Sequence, residues 1–389
     1  MASFMSFALL VILVYGIALL WATWSWRSMN NDQSASSQLP RTTFSIVIPA
    51  RDEEKNLESC LHGVLKQTYP KDHFEVIVVD DFSEDETVEH AREFKEPFDK
   101  KGVSLKIVKK NQESMPGKKG ALAKGVDNAD FDWVVTTDAD TLRGRQWLQA
   151  FNDQIINHDP VMISGPVKIL QQGNLFQRWQ SLEFAGLNAL GGVAMNKGRP
   201  NMCNGANLAY RKSAYYACKG LEGYENVASG DDEFLMHKIH AHYSSGVRFL
   251  KDRRGLVFTY PKESLVDFLS QRIRWASKGQ FYENKASAIP ALFVGLVNLL
   301  LILGVLYAIA YSGMHPGWAI GLWGLKALPE FVFLMGVGRF YQLSHYYLFW
   351  LFQPFYPFYI LLCGIWGRLG HVSWKSRKIE QGKWKPEKT

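Results

Sequence analysis

The 389-residue chain has long apolar runs in its N-terminal part and in its C-terminal third. In the region between them, short apolar and polar segments alternate. The first run, residues 4–24, carries no charge and is long enough to cross a bilayer. No basic segment precedes it, and it ends in Trp21, Trp24 and Trp26 rather than in small residues. We therefore interpret it as an uncleaved anchor and not as a signal peptide. Three later runs are further candidates: residues 289–311, 318–337 and 346–366.

The central region alternates strand-like and helix-like patterns. The predicted strands are Phe44–Ala50, Phe74–Asp80, 103–109 and 133–137. The predicted helices begin near Glu53, Glu84, Lys119 and Gly144, with Ser83 as a helix start. An amphipathic stretch over 175–195 and short strands over 247–250 and 255–259 follow. Such alternation predicts an α/β domain with a mostly parallel sheet and helices on both faces.

The domain organisation follows from these patterns. We expect a membrane anchor over 1–26, a polar linker over 27–43, the α/β domain over 44–280, a membrane region over 281–367 and a basic tail over 368–389.

The basic residues set the expected orientation. The net charge is +7, and many positive residues flank the apolar runs: Arg27, Arg41, Arg368, Lys375, Arg377, Lys378, Lys383, Lys385 and Lys388. This distribution indicates a membrane surface rather than nucleic acid, with the domain and tail on the cytoplasmic side. Because the domain and the tail are then on the same side, the chain between them should cross the membrane an even number of times. Residues 346–366, interrupted by Gln353, Pro354 and Pro357, are the predicted irregular segment.

Two smaller observations complete the picture. Lys326 and Glu330 are four residues apart in an apolar run and either pair on one helix face or lie near an interface. The four cysteines are scattered without metal-binding spacing, which favours a reducing compartment.

Acidic residues mark the candidate chemistry. Asp80-Asp81 and Asp138-Ala139-Asp140 each follow a predicted strand, and Asp231-Asp232 opens an amphipathic segment. Acids at the ends of parallel strands lie at the crevice where open α/β sheets bind ligands. Two carboxylates one residue apart can hold a divalent cation and, through it, a diphosphate. The pattern indicates an enzyme that transfers a group from a nucleoside diphosphate.

With Gln271, Arg272, Arg274 and Trp275, these motifs resemble those of membrane-bound family 2 glycosyltransferases, the group of cellulose, hyaluronan and poly-N-acetylglucosamine synthases. The resemblance covers about residues 43–280. It implies a GT-A fold, a Rossmann-like sheet with helices on both faces.

The resemblance also implies roles on the donor side. Pro49, Ala50 and Glu53 belong to the segment that holds the nucleotide base, although Arg51 and Asp52 replace an aromatic residue and an Asn of many relatives. Asp81, after Asp80, matches the acid that contacts uracil. Lys118 matches a basic residue near the donor, and a solvated loop is the alternative.

Asp138 and Asp140 match the DxD motif, which implies Mg²⁺ or Mn²⁺. Asp140 is the expected metal ligand, and Asp138 contacts ribose or a metal-bound water.

The remaining motifs concern transfer. Asp232 matches the general base, with Asp231 as second choice and helix capping as the alternative role. Cys203 and Gly205 belong to the acceptor-side segment. Gln271, Arg272 and Arg274 would hold the diphosphate and Trp275 the acceptor sugar. An ordinary interfacial helix is the alternative for this segment.

The expected activity is inverting, metal-dependent transfer from a nucleotide-sugar, with a UDP-sugar favoured, to a lipid-linked or polysaccharide acceptor. The expected place is the cytoplasmic face of the inner membrane. A processive polysaccharide synthase is the nearest alternative. A nucleotidyltransferase and a non-enzymatic membrane scaffold are the alternatives of other classes.

Overall fold

The computed structural model describes residues 2–29, 39–111, 115–282, 285–310, 317–374, 377–380 and 382–384. The α-helices are α1 Ala2–Ser28, α2 Leu57–Leu65, α3 Thr87–Glu93, α4 Lys95–Lys100, α5 Lys118–Asp127, α6 Trp147–His158, α7 Leu175–Asn196, α8 Lys212–Ala217, α9 Asp231–His242, α10 Leu265–Ser277, α11 Ile289–Ala310, α12 Gly317–Tyr341, α13 Tyr347–Phe352 and α14 Tyr356–Leu369. The strands are β1 Phe44–Ala50, β2 Phe74–Asp80, β3 Ser104–Lys109, β4 Trp133–Thr136, β5 Thr141–Arg143, β6 Met162–Ser164, β7 Val167–Ile169, β8 Leu208–Arg211, β9 Val247–Phe249, β10 Val257–Thr259, β11 His371–Trp374, β12 Arg377–Glu380 and β13 Lys383–Trp384.

A seven-stranded sheet in the order β3-β2-β1-β4-β8-β6-β9 forms the centre of the α/β domain. Strands β3, β2, β1 and β4 are parallel to one another, and β8 runs antiparallel to both β4 and β6. Ala50 lies opposite Asp80, and Val47 lies opposite Thr136. The ends of β1, β2 and β4 therefore meet at one edge, and the mostly parallel sheet is confirmed.

The central strands are apolar on both faces because helices cover both. Ile46 and Ile48 pack into a core cluster with Leu57 and Leu61 of α2. Val47, from the same strand, packs into a different cluster, which includes Ala121 and Val126 of α5. Successive side chains of a strand point to opposite faces, so this division is what a sheet between two helix layers requires.

Three helices begin later than the sequence indicates. They start at Leu57, Thr87 and Trp147 instead of near 53, 84 and 144. The loops after β1 and β2 bond to each other instead: the Asp52 N–H donates to Ser83 Oγ at 3.1 Å. Ser83 is thus a loop contact and not a helix cap.

Two small sheets lie outside the main one. Strand β10 pairs with β5 in antiparallel and with β7 in parallel fashion. Strands β11, β12 and β13 form an antiparallel sheet at the end of the chain. The sequence reasoning predicted a basic tail here and no strands. Of that tail, Lys375, Lys385 and Lys388 lie outside the described residues, as does most of the predicted linker (30–38).

Three helices of the described chain are long and apolar enough to cross a membrane: Phe4–Ser28, Ile289–Ala310 and Gly317–Tyr341. The predicted irregular segment, 346–366, is divided into the short helices α13 and α14, which confirms the break near Gln353.

Polar side chains connect these helices inside the bundle. Lys326, which has no exposed surface, pairs with Glu330 at 2.9 Å, as the spacing predicts. Glu330 also accepts hydrogen bonds from the Tyr15 hydroxyl at 2.7 Å and from Gln353 Nε2 at 2.8 Å. The cluster therefore joins α1, α12 and the segment between α13 and α14.

The first helix also contacts the α/β domain. Lys251 Nζ donates to the carbonyl oxygens of Trp26 at 2.6 Å and Met29 at 2.7 Å. The Trp26 ring packs against Phe249 and stacks on Tyr341. These contacts fix the domain against the helix bundle.

Candidate active site

Lys118 connects two acidic segments that are far apart in sequence. It is the first residue of α5, and its Nζ lies 2.5 Å from Asp138 Oδ1 and 3.5 Å from Asp231 Oδ2. Burial alone lowers the pKa of Lys118, but the charges of Asp138 and Asp231 outweigh it and raise the pKa above its usual value. Lys118 is therefore a permanent cation between the strand-end and helix-start acids.

The backbone of Gly205 makes the second connection. Its N–H donates to Asp232 Oδ2 at 2.8 Å, and its carbonyl accepts from Thr136 Oγ1, at the end of β4, at 3.0 Å. A Cβ atom at this position would lie 3.3 Å from both Asp231 Oδ2 and Lys118 Nζ. A glycine thus allows the backbone to pass closely between the acids and the lysine.

The two acids of α9 are in different environments. Burial raises the pKa of Asp231, but the charges of Lys118 and Lys119 outweigh that effect and hold it below the usual value. Asp232 accepts hydrogen bonds from two backbone N–H groups, those of Gly205 and Glu233, the latter at 2.8 Å. Asp231 is engaged by cations, whereas the carboxylate of Asp232 is oriented by the backbone.

The strand-end acids concentrate negative charge. Burial, with the charges of Asp138 and Glu53, raises the pKa of Asp140 to about 6. Within the described residues no group of three or more metal-ligating side chains is found. Two carboxylates nevertheless fit Mg²⁺ or Mn²⁺, because such ions commonly take one or two carboxylates and complete their shell with substrate phosphates and water.

Directly after β2, Asp81 forms a buried ion pair. Its Oδ1 lies 2.5 Å from Lys110 Nζ, and both side chains are 3% exposed. The Arg51 guanidinium donates to the Asp81 carbonyl at 3.1 Å, and Asp80 Oδ1 accepts from the Ser83 N–H at 3.0 Å. The sequence reasoning missed Lys110, although it directly follows β3 and the strand-end rule would have found it.

The other predicted donor residues lie at the end of β1. Pro49 and Ala50 are its last two residues, and the Asp81 N–H donates to the Ala50 carbonyl at 2.9 Å. The Glu53 N–H donates to Thr87 Oγ1 at 2.7 Å. Ala50 therefore lies beside Asp81, and the charge of Glu53 acts on Asp140.

The two arginines of α10 face different surroundings. Arg274 donates to Ser229 Oγ at 3.2 Å; burial lowers its pKa, while the charges of Asp231, Asp138 and Asp232 act in the opposite direction. The structure brings Arg274 to the acids.

Arg272, in contrast, is 4% exposed and pairs with Glu183 of α7 at 2.6 Å. It also donates to Gln271 Oε1 at 2.8 Å, and its guanidinium carbon lies 4.2 Å from the Trp275 ring centroid. The structure therefore places Arg272 in a helix-packing contact with α7 and not beside Asp138 or Asp231. Trp275 packs in addition against Phe184.

Glu233, Lys278 and Tyr282 form a buried group behind Asp232. Lys278 Nζ lies 2.7 Å from Glu233 Oε1, and the Tyr282 hydroxyl donates to Glu233 Oε2. Nothing in the sequence pattern signals this long-range contact. Nearby, burial and the charges of Asp232 and Glu233 raise the pKa of Cys203, which fits a neutral packing thiol and not a nucleophile.

The fold and the site together define a class. Paired acids at the ends of parallel strands face a cation and a helix-start acid, an arrangement typical of enzymes that use nucleotide-activated donors. Residues 45–218 match the family described as glycosyl transferase family 2, and residues 133–366, more than half of the chain, match glycosyl transferase family group 2. The chain belongs to the family 2 glycosyltransferases, which confirms the enzyme interpretation over the scaffold.

Curated relatives agree with this assignment. The chain is similar to the poly-beta-1,6-N-acetyl-D-glucosamine synthase of Staphylococcus aureus strain COL, with 26% identity over 282 residues, 69% of this chain and 64% of the relative. It is also similar to the Staphylococcus epidermidis synthase, with 25% identity over 240 residues, 61% of this chain and 54% of the relative. The chain thus matches less than two thirds of these proteins' length.

Among solved structures, the fold is similar to that of a mannosyltransferase from Pyrobaculum calidifontis in complex with GDP-Man and Mn²⁺. The TM-score is 0.60 at 18% identity, and the match covers 94% of this chain and 98% of the other. The predicted GT-A fold with membrane helices is confirmed.

Proposed function

We propose that this protein transfers a sugar from a nucleoside diphosphate to an acceptor hydroxyl with inversion at the anomeric carbon. The observation that carries the proposal is the position of Lys118, which contacts both Asp138 and Asp231. It brings the donor-side acids and the candidate base to one place. Of the predicted site residues, Gly205, Asp232 and Arg274 interact with this group of acids as well.

Asp232 is the proposed general base. A carboxylate that takes the acceptor proton while the acceptor oxygen attacks the anomeric carbon gives a single displacement, and hence inversion. The N–H groups of Gly205 and Glu233 orient this carboxylate. Lys118 and Arg274, the cations near these acids, would stabilise the negative charge of the departing nucleoside diphosphate.

Asp138 and Asp140 are the proposed holders of Mg²⁺ or Mn²⁺. When bound, the cation would neutralise charge that develops on the leaving diphosphate. The raised pKa of Asp140 supports this role, because a site with excess negative charge gains most from a cation.

A UDP-sugar is the favoured donor. Asp81, directly after β2, matches the acid that contacts uracil in the family, and its N–H donates to the carbonyl of Ala50, another proposed donor residue. The similarity to poly-N-acetylglucosamine synthases makes UDP-N-acetylglucosamine the first donor to test.

We further propose an integral membrane enzyme with its domain on the cytoplasmic face. The three candidate spans and the flanking basic residues support this placement. Few spans leave little room for a self-contained polymer channel, which favours a lipid-linked acceptor. A processive synthase acting on a glycan is the second candidate, and the curated relatives favour it.

The test is turnover of radiolabelled UDP-N-acetylglucosamine by membranes that contain the protein. Asp140→Ala is expected to reduce transfer to background, while Asp72→Ala, a change at an exposed acid, leaves it unchanged. EDTA is expected to stop the reaction, and Mn²⁺ or Mg²⁺ to restore it. Equal activity of Asp140→Ala and wild type, or full activity in chelator, would contradict the metal assignment.

A further inference from the structure

The small C-terminal sheet contacts the segment that leads into the catalytic helix. The Gly382 carbonyl accepts a hydrogen bond from the Ala228 N–H at 2.9 Å. Val227 and Lys383 form an antiparallel bridge beside it. Residues 227–229 come directly before Gly230 and Asp231, so the end of the chain touches the backbone that positions both acids of α9.

The same segment is held on its other side by residues of the site. Lys119 Nζ donates to the carbonyl oxygens of Val227 and of Ser229, the latter at 3.0 Å. Arg274 donates to Ser229 Oγ at 3.2 Å. The Ala228 N–H, which lies between the two carbonyls held by Lys119, is taken by the C-terminal sheet. Residues 227–229 are therefore fixed by α5, α10 and the C-terminal sheet together.

Gly382 fits closely against the residues that follow α10. Its φ is +79°, and a Cβ atom there would lie 2.8 Å from the Phe281 ring and 3.1 Å from Ser277 Oγ. The Lys383 ammonium lies 5.6 Å from the centroid of the Phe281 ring. A larger residue at position 382 would push the backbone before β13 away from Phe281 and Ser277, and with it away from Ala228.

The start of α9 depends on this segment. Its N-cap is Gly230, which has no side chain to accept from the first-turn N–H groups. Contacts of the residues before α9 therefore help to set the direction of the first turn, together with the contacts of Asp231, Asp232 and Glu233 themselves. Catalytic groups need to be held within about 0.5 Å of their working geometry, and a misplacement of about 1 Å can cost about 10²-fold in rate.

We propose that the C-terminal sheet is a positioning element for the catalytic acids, with Gly382 as its contact residue. The proposal rests on the proposed function, in which Asp232 is the base. The sheet contributes no group to the reaction. It fixes residues 227–229 and thereby the place of Asp232 relative to Lys118 and Gly205.

The test compares two glycine variants of the full chain. Gly382→Val is expected to lower kcat for UDP-N-acetylglucosamine turnover by about 10²-fold, with the donor KM changed less than threefold. Gly102→Val is the matched control, because Gly102 has a similar φ of +71° with open space around it, ahead of β3. It has the same backbone strain without the contact. Gly382→Ala, a milder change in case valine prevents folding, is expected to fall between the two.

Hydrogen exchange of peptides covering 225–234 supplies a direct readout of position. Faster exchange there in Gly382→Val, but not in Gly102→Val, is expected. If Gly382→Val and Gly382→Ala matched Gly102→Val in kcat and in exchange, the proposal would be overturned. Asp232→Asn, measured under the same conditions, distinguishes failure of the proposed base from failure of the positioning role. An active Asp232→Asn refutes the proposed base, whereas an inactive one with an unaffected Gly382→Val refutes only the positioning role.

Discussion

The two adjacent acids of α9 have different partners: Asp231 contacts the Lys118 ammonium, and Asp232 accepts from the backbone N–H of Gly205. Asp231 lies 3.5 Å from the Lys118 ammonium, and the charges of Lys118 and Lys119 hold its pKa low. Asp232 accepts from two backbone N–H groups that orient it without adding a full positive charge. A carboxylate in contact with the Lys118 ammonium is a poorer proton acceptor, which disfavours Asp231 as the base.

We predict that Asp232→Asn lowers kcat by about 10²–10⁴-fold, because the amide cannot take the acceptor proton. Its oxygen can still accept from the Gly205 N–H, so the donor KM is expected to stay within a few-fold. Initial rates of radiolabelled sugar transfer measure both. Asp231→Asn is the neighbouring control and should lose less kcat. A near-wild-type rate for Asp232→Asn would remove it as the base.

The buried pair of Asp81 and Lys110 predicts a stability effect. Lys110→Met removes the ammonium that lies 2.5 Å from Asp81, and breaking a buried ion pair typically costs about 3–5 kcal/mol of unfolding free energy. Thermal unfolding in detergent measures the loss. The exposed pair of Lys100 and Glu96 supplies the control, since Lys100→Met should change little. Identical unfolding of the two variants would show that Asp81 does not need Lys110.

At the scale of elements, helix α10 contacts α7 on one face and the candidate site on another. Arg272 and Arg274 are two positions apart, which places them on different sides of a helix. Arg272 pairs with Glu183 of α7, whereas Arg274 reaches Ser229 and the acids of the site. One short motif therefore supplies one arginine to helix packing and another to the candidate site.

We predict opposite phenotypes for the two arginines. Arg272→Met should lower the unfolding temperature, because Glu183 is left buried without its partner. Arg274→Met should leave the fold intact and raise the donor KM or lower kcat, since it removes a cation near the leaving group. Unfolding curves and transfer kinetics of both variants decide the matter. Loss of donor binding in a stable Arg272→Met would contradict the division.

The sequence predicts the elements whose signals are local. Strands β1 and β2 occupy the predicted residues, and the acids that follow β1, β2 and β4 meet at one edge because parallel strands end together. It could not tell which arginine of α10 faces the site, since Glu183 lies 89 residues away. The C-terminal strands pair with one another and were missed because the many basic residues there indicated a polar tail. Their contact with Ala228 could not be predicted, since it joins segments remote in sequence.

At the scale of the whole molecule, the C-terminal contact constrains the membrane topology. Gly382 bonds to Ala228, so the tail and the α/β domain must lie on the same side of the bilayer. The number of crossings between them must then be even. Helices α11 and α12 supply two, and the broken pair α13 and α14 need not cross.

We predict that a reporter fused after Thr389 lies on the cytoplasmic side and one fused before Met1 on the opposite side. A fluorescent protein that folds only in the cytoplasm, and a phosphatase active only outside it, give complementary signals at each end. Phosphatase activity of the C-terminal fusion would contradict the orientation drawn from the basic residues, whereas both termini on one side would contradict the predicted number of crossings.

The polar cluster of Tyr15, Lys326 and Glu330 has a practical consequence for producing this enzyme. Recombinant versions are often shortened by deleting a leading hydrophobic helix to gain solubility. Here such trimming would remove Tyr15, which donates a hydrogen bond to Glu330. It would also remove the Trp26 carbonyl, which accepts a hydrogen bond from Lys251. Detergent or nanodisc preparations of the full-length chain are therefore the suitable starting material for biochemistry.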